Sequence, residues 1–215
     1  MKDMSLLRAH AVRRLRAFAA SLPAGLRVAE LGGRQKCEHA RLFGDQGCAY
    51  VAVGFEGDVR ADLRDAPLPL PTASQDVVLV SMALMYFEEP AAVGRLLQEC
   101  RRLLVPGGRL IIIEAYLYGD TRHGDLPDRV RWTADGMRAL VEGAGFMPVS
   151  VERLGGFAGV LLSFARDLLP VALAPARVAC TSLGLWLDAG ASCVPYLARR
   201  NHRYYAGHFT VAVSP

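Results

Sequence analysis

Residues 76–114 read DVVLVSMALMYFEEPAAVGRLLQECRRLLVPGGRLIIIE. The apolar run Val77 to Val80 has the length and β-branching of a strand buried on both faces. A helix-period stretch follows, with Val93, Leu96, Leu97, Cys100, Leu103 and Leu104 at i, i+3, i+4, i+7 spacing. Val105-Pro106-Gly107-Gly108 is expected to stop that helix in a turn, because Pro cannot continue it and Gly accepts positive φ. A second buried strand, Leu110 to Ile113, comes next. Strand, helix, turn and strand make one βαβ unit, the crossover that a parallel pair requires.

Outward from this unit the pattern continues. Arg27 to Leu31 reads as a first strand and Tyr50 to Val53 as a second. The Pro-rich stretch from Ala66 to Thr72 reads as a surface loop. Thr133 is a candidate N-cap for a helix running to about Glu142, which Gly143-Ala-Gly145 ends. Phe146 to Leu154 then reads as a sixth strand and His208 to Val213 as the last, antiparallel one. From about 155 to 203 the chain is very apolar but broken by Pro170, Pro175 and Pro195, with Arg166, Asp167 and Asp188 inside its helical pieces. Those charges and breaks speak against a membrane-spanning helix. A helical cap over the active site, a dimer or partner-subunit interface, and a peripheral membrane or lipid contact are the readings of this insert.

The chain of 215 residues suffices for one α/β domain with a full core. A formal charge of +4, with no basic stripe interleaved with aromatics, gives no reason to expect nucleic acid. Five cysteines, odd in number and without a CxxC pair, read as reduced thiols of a cytoplasmic protein, with no metal site expected. The stretch from Leu6 to Ala20, interrupted by four arginines, lacks the apolar core of a signal peptide. It reads as an amphipathic helix that packs on the domain or meets an anionic surface.

Three motifs carry a resemblance. LLVPGGRLIII after an Asp76-led strand, the stretch Ala61-Asp62-Leu63-Arg64-Asp65-Ala66-Pro67-Leu68-Pro69, and Leu26 to Gly33 are similar to segments of class I S-adenosylmethionine-dependent methyltransferases. Arg131-Trp132-Thr133 through Phe146 also resembles the family's phrase before its sixth strand. The likeness covers about residues 26–151. It implies one doubly wound α/β domain over 1–215 with a mostly parallel seven-stranded sheet. Its parts are an N-terminal helix (1–25), a core (26–154), the apolar helical insert (155–203) before the last strand, and that strand (204–215).

The resemblance also implies S-adenosylmethionine as cofactor and assigns positions to it. Glu30, Gly32 and Gly33 match the loop after the first strand, Asp62 the acceptor for the adenine amino group, Leu63 the ring's neighbour, and Ser81 the end of the fourth strand. Arg34 and Lys36, however, stand where the family has glycines, and Gly54 stands where it has the acid that holds the ribose. Glu56, two residues on, either reaches the ribose or is a solvated turn residue. Asp62 is alternatively a turn carboxylate.

For the methyl acceptor, Met82, Met85, Tyr116 and Trp132 are candidate pocket walls. Tyr86 stands where the family commonly has His, and a phenol with a pKa near 10 is a poor general base. His123, on the loop after the fifth strand, is a candidate base or a surface histidine. Methyl transfer from a sulfonium needs chiefly in-line positioning, so the lack of an obvious base does not exclude it. Two functions follow. One is methylation of a small or lipid-linked hydroxyl, amine or carbon acceptor in specialised or glycan biosynthesis. The other is a methyltransferase-like protein that has lost methyl transfer, serving as a non-catalytic subunit or scaffold, or as a cofactor-independent enzyme on an apolar substrate.

Overall fold

The computed structural model describes residues 4–35, 37–119, 122–123 (backbone only), 125–193, 196, 201 and 203–215. Its sheet comprises β1 (Arg27–Leu31), β2 (Ala49–Gly54), β3 (Val59–Arg60), β4 (Gln75–Ser81), β5 (Leu104–Ala115), β8 (Val149–Leu154) and β9 (Gly207–Val213). A separate hairpin pairs β6 (Arg122–His123) with β7 (Leu126–Pro127). The helices are α1 (Leu6–Ala19), α2 (Glu38–Gly44), α3 (Pro90–Leu103), α4 (Ala134–Gly143), α5 (Phe157–Asp167) and α6 (Ala174–Ser192).

The seven-stranded sheet has the order β3-β2-β1-β4-β5-β9-β8. β1 to β5 run parallel, and β9 enters antiparallel between β5 and β8. The doubly wound, mostly parallel architecture expected from the sequence is therefore present. Alternate residues of the central strands feed two cores, as a strand buried on both faces requires. Val78, Val80 and Ile112 pack towards α3 and α4, while Val77, Leu79, Ile111 and Ile113 pack towards α1, α2 and α5.

The Pro-Gly-Gly stretch is not the turn expected. Helix α3 ends at Leu103, and Leu104 is already extended (φ −74°, ψ 142°). Gln75 pairs with Leu104 but Val77 with Arg109, so two steps along β4 span five along β5. Pro106-Gly107-Gly108 is thus a bulge inside a twelve-residue strand. Gly107 sits at φ +75°, and a Cβ at Gly108 would lie 2.8 Å from the Val105 carbonyl. The helix stops because the chain must pair with β4 at Leu104, before the proline is reached.

Thr133 caps α4 as expected, its hydroxyl accepting from the Gly136 amide at 3.0 Å. In the described part of the insert, α5 and α6 pack on α1. Glycines let them touch, since the Gly184 side of α6 comes within contact distance of the Gly159 backbone. Buried Asp188 of α6 accepts from the amides of Gly156 (2.9 Å) and Gly159 (3.1 Å) and faces His10 of α1 at 3.5 Å. Among the described residues no helix is long and apolar enough to cross a membrane.

Candidate active site

In open α/β sheets ligands bind beyond the carboxyl ends of the strands, where strand order reverses. A cavity of about 210 Å³ lies there, over the ends of β1, β2 and β4. Its wall includes Gly32 and Gly33 after β1, Glu56 after β2, Asp62 and Leu63 after β3, and Ser81, Met82 and Tyr86 after β4. Eight residues singled out from the sequence thus meet in one place.

The glycines have structural reasons. Gly32 has φ +84°, and a Cβ there would lie 2.9 Å from the Ala83 Cβ. Gly54 abuts the same loop: its Cβ would stand 3.1 Å from the Gly33 carbonyl. The two loops are further tied by Gln35, whose amide donates to the Glu56 carbonyl at 3.1 Å. A carboxylate at position 54 would press on this junction. Glu56 is exposed on the cavity wall and offers the nearest acid after β2. Arg34 lines the rim of the same cavity, whereas Lys36 lies outside the described residues.

Asp62 is engaged. Its carboxylate accepts from the Arg64 amide (2.9 Å) and from the guanidinium at Nε (2.9 Å) and Nη2 (2.5 Å). The Arg64 guanidinium holds the carboxyl below the usual carboxylate range. Both residues line the cavity, so the carboxylate faces it already paired.

Several predicted residues are elsewhere. Glu30 is buried and absent from the cavity wall. It bonds to Tyr50, to His39 at 2.9 Å and to Cys37 at 3.4 Å, on the α2 side of β1. The loop it organises therefore rests on it, but it does not face the cavity. Met85 is 1% exposed and belongs to the core. Tyr116 stacks on Tyr205, with centroids 4.6 Å apart. Trp132 packs against the α3–α4 core. None of these three lines the cavity, because each points into a core layer or along the β9 edge instead. The backbone of His123 pairs with Leu126, which does line the cavity, placing the hairpin at its mouth; the His123 side chain lies outside the described residues. No described residue of the insert contributes to the wall; α5 and α6 pack on α1.

One residue was not singled out from the sequence. Glu114, at the end of β5, is 1% exposed and accepts from the amides of Ala83 (2.9 Å) and Leu84 (2.7 Å). It thereby holds the turn in which Met82 takes φ +53°, a conformation costly for a side chain with a Cβ. Burial pushes its carboxyl up to about 7, against the opposing pull of the two amides and Arg131. Its signal in sequence is an acid closing a run of apolar strand residues.

The comparisons agree with this geometry. A family model described as a methyltransferase domain matches residues 39–112, from α2 through most of β5. β1 and its loop precede the matched segment. A search of curated proteins finds no match. Among solved structures, phosphoethanolamine N-methyltransferase 2 of Haemonchus contortus, in complex with phosphomonomethylethanolamine and S-adenosylhomocysteine, is similar at a TM-score of 0.62 and 16% identity. The alignment covers 95% of this chain and 52% of that one, so the chain spans about half its length. A methyltransferase from Archaeoglobus fulgidus aligns at TM-score 0.63 and 15% identity, over 94% of this chain and 92% of that one. The 1,6-didemethyltoxoflavin N1-methyltransferase of Burkholderia thailandensis aligns at 0.57 and 20%, over 95% and 78%. The chain has the class I methyltransferase fold, and its residues 39–112 match the methyltransferase-domain model.

Proposed function

We propose that the cavity binds S-adenosylmethionine and that the protein transfers its methyl group to a small or lipid-linked acceptor. The observation that carries this reading is the convergence of Gly32, Gly33, Glu56, Leu63 and Ser81 on one cavity at the switch point of the sheet. Gly32 exposes its backbone to the cofactor's amino-acid end, Leu63 packs on the adenine, and Glu56 takes the ribose hydroxyls. Met82 and Tyr86 line the acceptor side, with the phenol orienting the acceptor by hydrogen bonding, and His123 is the candidate base. The cofactor supplies an activated methyl group, and the protein's part is alignment and exclusion of water.

Calorimetric titration with S-adenosylmethionine and S-adenosylhomocysteine tests the reading. A dissociation constant below about 100 μM, roughly 5.5 kcal/mol, supports it. No response at millimolar ligand overturns it.

A second reading is favoured by a specific pair of observations: Asp62 is already bonded to Arg64, and Arg34 stands at the rim. Under it the cavity takes an apolar substrate without a methyl donor, or the chain serves as a non-catalytic subunit. The exposed apolar side chains of the insert, among them Leu161, Leu168 and Trp186, support contact with a lipid surface or a lipid-linked acceptor under either reading.

A further inference from the structure

Beneath the loop between β1 and α2, away from the cavity, three side chains with metal-ligating atoms converge. Glu30 comes from β1, Cys37 caps α2, and His39 lies on the first turn of α2. His39 Nδ1 is 2.9 Å from Glu30 Oε1, and Cys37 Sγ is 3.4 Å from Glu30 Oε2. All three ligand atoms fall within 4.8 Å of one another. Tyr50 of β2 bonds the same carboxylate and lies 3.3 Å from Cys37 Sγ. We propose that Glu30, Cys37 and His39 bind a divalent transition-metal ion, with zinc the ion that best suits their donors.

Geometry is the first support. In a tetrahedral site with Zn–S of about 2.3 Å and Zn–N or Zn–O of about 2.0 Å, neighbouring donors stand roughly 3.3 to 3.5 Å apart. His39 Nδ1 and Cys37 Sγ stand 2.9 and 3.4 Å from different oxygens of Glu30, and one ligand atom from each residue lies within 4.8 Å of the other two, so closing on an ion takes shifts of about an ångström. The donor set is the second. Thiolate, imidazole and one carboxylate favour zinc over the hard cations magnesium and calcium. Three protein ligands leave a fourth position for water, and Tyr50 fits the outer-shell partner that orients a ligating carboxylate.

The ligands come from a strand and from the helix that follows it, on either side of the glycine loop. An ion there would clamp the floor of that loop from below. The inference is independent of methyl transfer and is read without the methyl donor.

The test uses the full chain, stripped with chelator and titrated with zinc against a chromophoric competitor, then with cobalt(II) as a spectroscopic probe. One ion per chain is expected, with a thiolate-to-cobalt charge-transfer band. Cys37→Ser should abolish that band and, like His39→Gln, weaken zinc at least tenfold. Tyr50→Phe should weaken it by about 10- to 100-fold, and Cys48→Ser should leave it unchanged. Circular dichroism shows which variants remain folded. Should the variants fail to fold, the wild-type cobalt spectrum decides: no thiolate band means a hydrogen-bonded cluster only and overturns the proposal. Wild-type affinity retained in both Cys37→Ser and His39→Gln overturns it as well.

Discussion

Asp62 and Arg64 set the sharpest question at the scale of single residues. If Asp62 is the acceptor for the adenine amino group, it must exchange its intramolecular partner for the cofactor. Arg64→Ala then tightens S-adenosylmethionine by several-fold, and Asp62→Ala weakens it by about tenfold, the worth of one hydrogen bond near 1.4 kcal/mol. Calorimetry on the two variants checks the opposite signs; equal affinity in both places Asp62 outside the cofactor's contacts. A second pair acts through pH. Glu114 and His208 are register partners on β5 and β9, both buried. Burial raises Glu114 from its ordinary 4.5 to about 7 and lowers His208 from 6.5 to about 4. The folded state therefore binds more protons than the unfolded one at Glu114 between about pH 4.5 and 7, so stability falls as pH rises there. At His208 the unfolded state binds more protons between about pH 4 and 6.5, so stability rises with pH. Each slope is worth about 3 kcal/mol across its window, and over their overlap they oppose one another. Glu114→Gln keeps an oxygen for the Ala83 and Leu84 amides and should expose the His208 slope, with urea midpoints climbing from pH 4 to 6.5. An unchanged profile would sink this account.

Secondary-structure elements were largely legible in the sequence, for physical reasons that also explain the misses. β1 was placed to the residue because Val28, Ala29 and Leu31 form an apolar run closed by glycine. Thr133 was legible because an N-cap is a local device. The Pro-Gly-Gly bulge was not, since proline and glycine give the same signal in a turn and in a bulged strand, and only pairing with β4 distinguishes them. Glu30, Met85, Tyr116 and Trp132 lie away from the cavity wall, because the face a side chain occupies depends on the neighbouring layer, which no local pattern encodes. The cluster of Glu30, Cys37 and His39 escaped the cysteine-spacing rule because its ligands come from different elements. Asp188 looked like a charge that merely interrupts an apolar helix; it is the staple joining α5 and α6 to α1. Asp188→Ala leaves two buried amides without an acceptor and should cost roughly 3 kcal/mol. Limited proteolysis is the readout, with cleavage within 155–193 accelerating before global unfolding. Cleavage elsewhere first would show that the staple is dispensable.

Over the molecule as a whole, most of the exposed large apolar side chains of the described residues lie on the insert. Leu161 (58% exposed), Leu168 (86%), Val171 (77%) and Trp186 (71%) lie on the insert, whereas the cavity opens past the ends of the parallel strands. An exposed apolar surface of this kind marks an interaction site. With Trp132→Phe leaving Trp186 as the sole indole, vesicles of anionic phospholipid should shift its emission to the blue, and Leu168→Ser with Val171→Ser should reduce the shift. An unshifted spectrum, together with a dimeric mass by light scattering, would assign the surface to a second copy instead.

The antiparallel strand β9, one place in from the edge of the sheet, has a temporal consequence. Among the described residues β8 pairs with no strand other than β9, and β9 is made after the insert. Ser214 then closes on the Pro-Gly-Gly bulge, its carbonyl accepting from Gly107 at 3.0 Å and its amide donating to Gly108 at 2.9 Å. On the ribosome, β1 to β5 can assemble as they emerge, but β8 must wait, unpaired and beside an apolar helical pair, until β9 is free of the exit tunnel. Nascent chains stalled before residue 207 should therefore depend on chaperones more than those from which β9 has emerged.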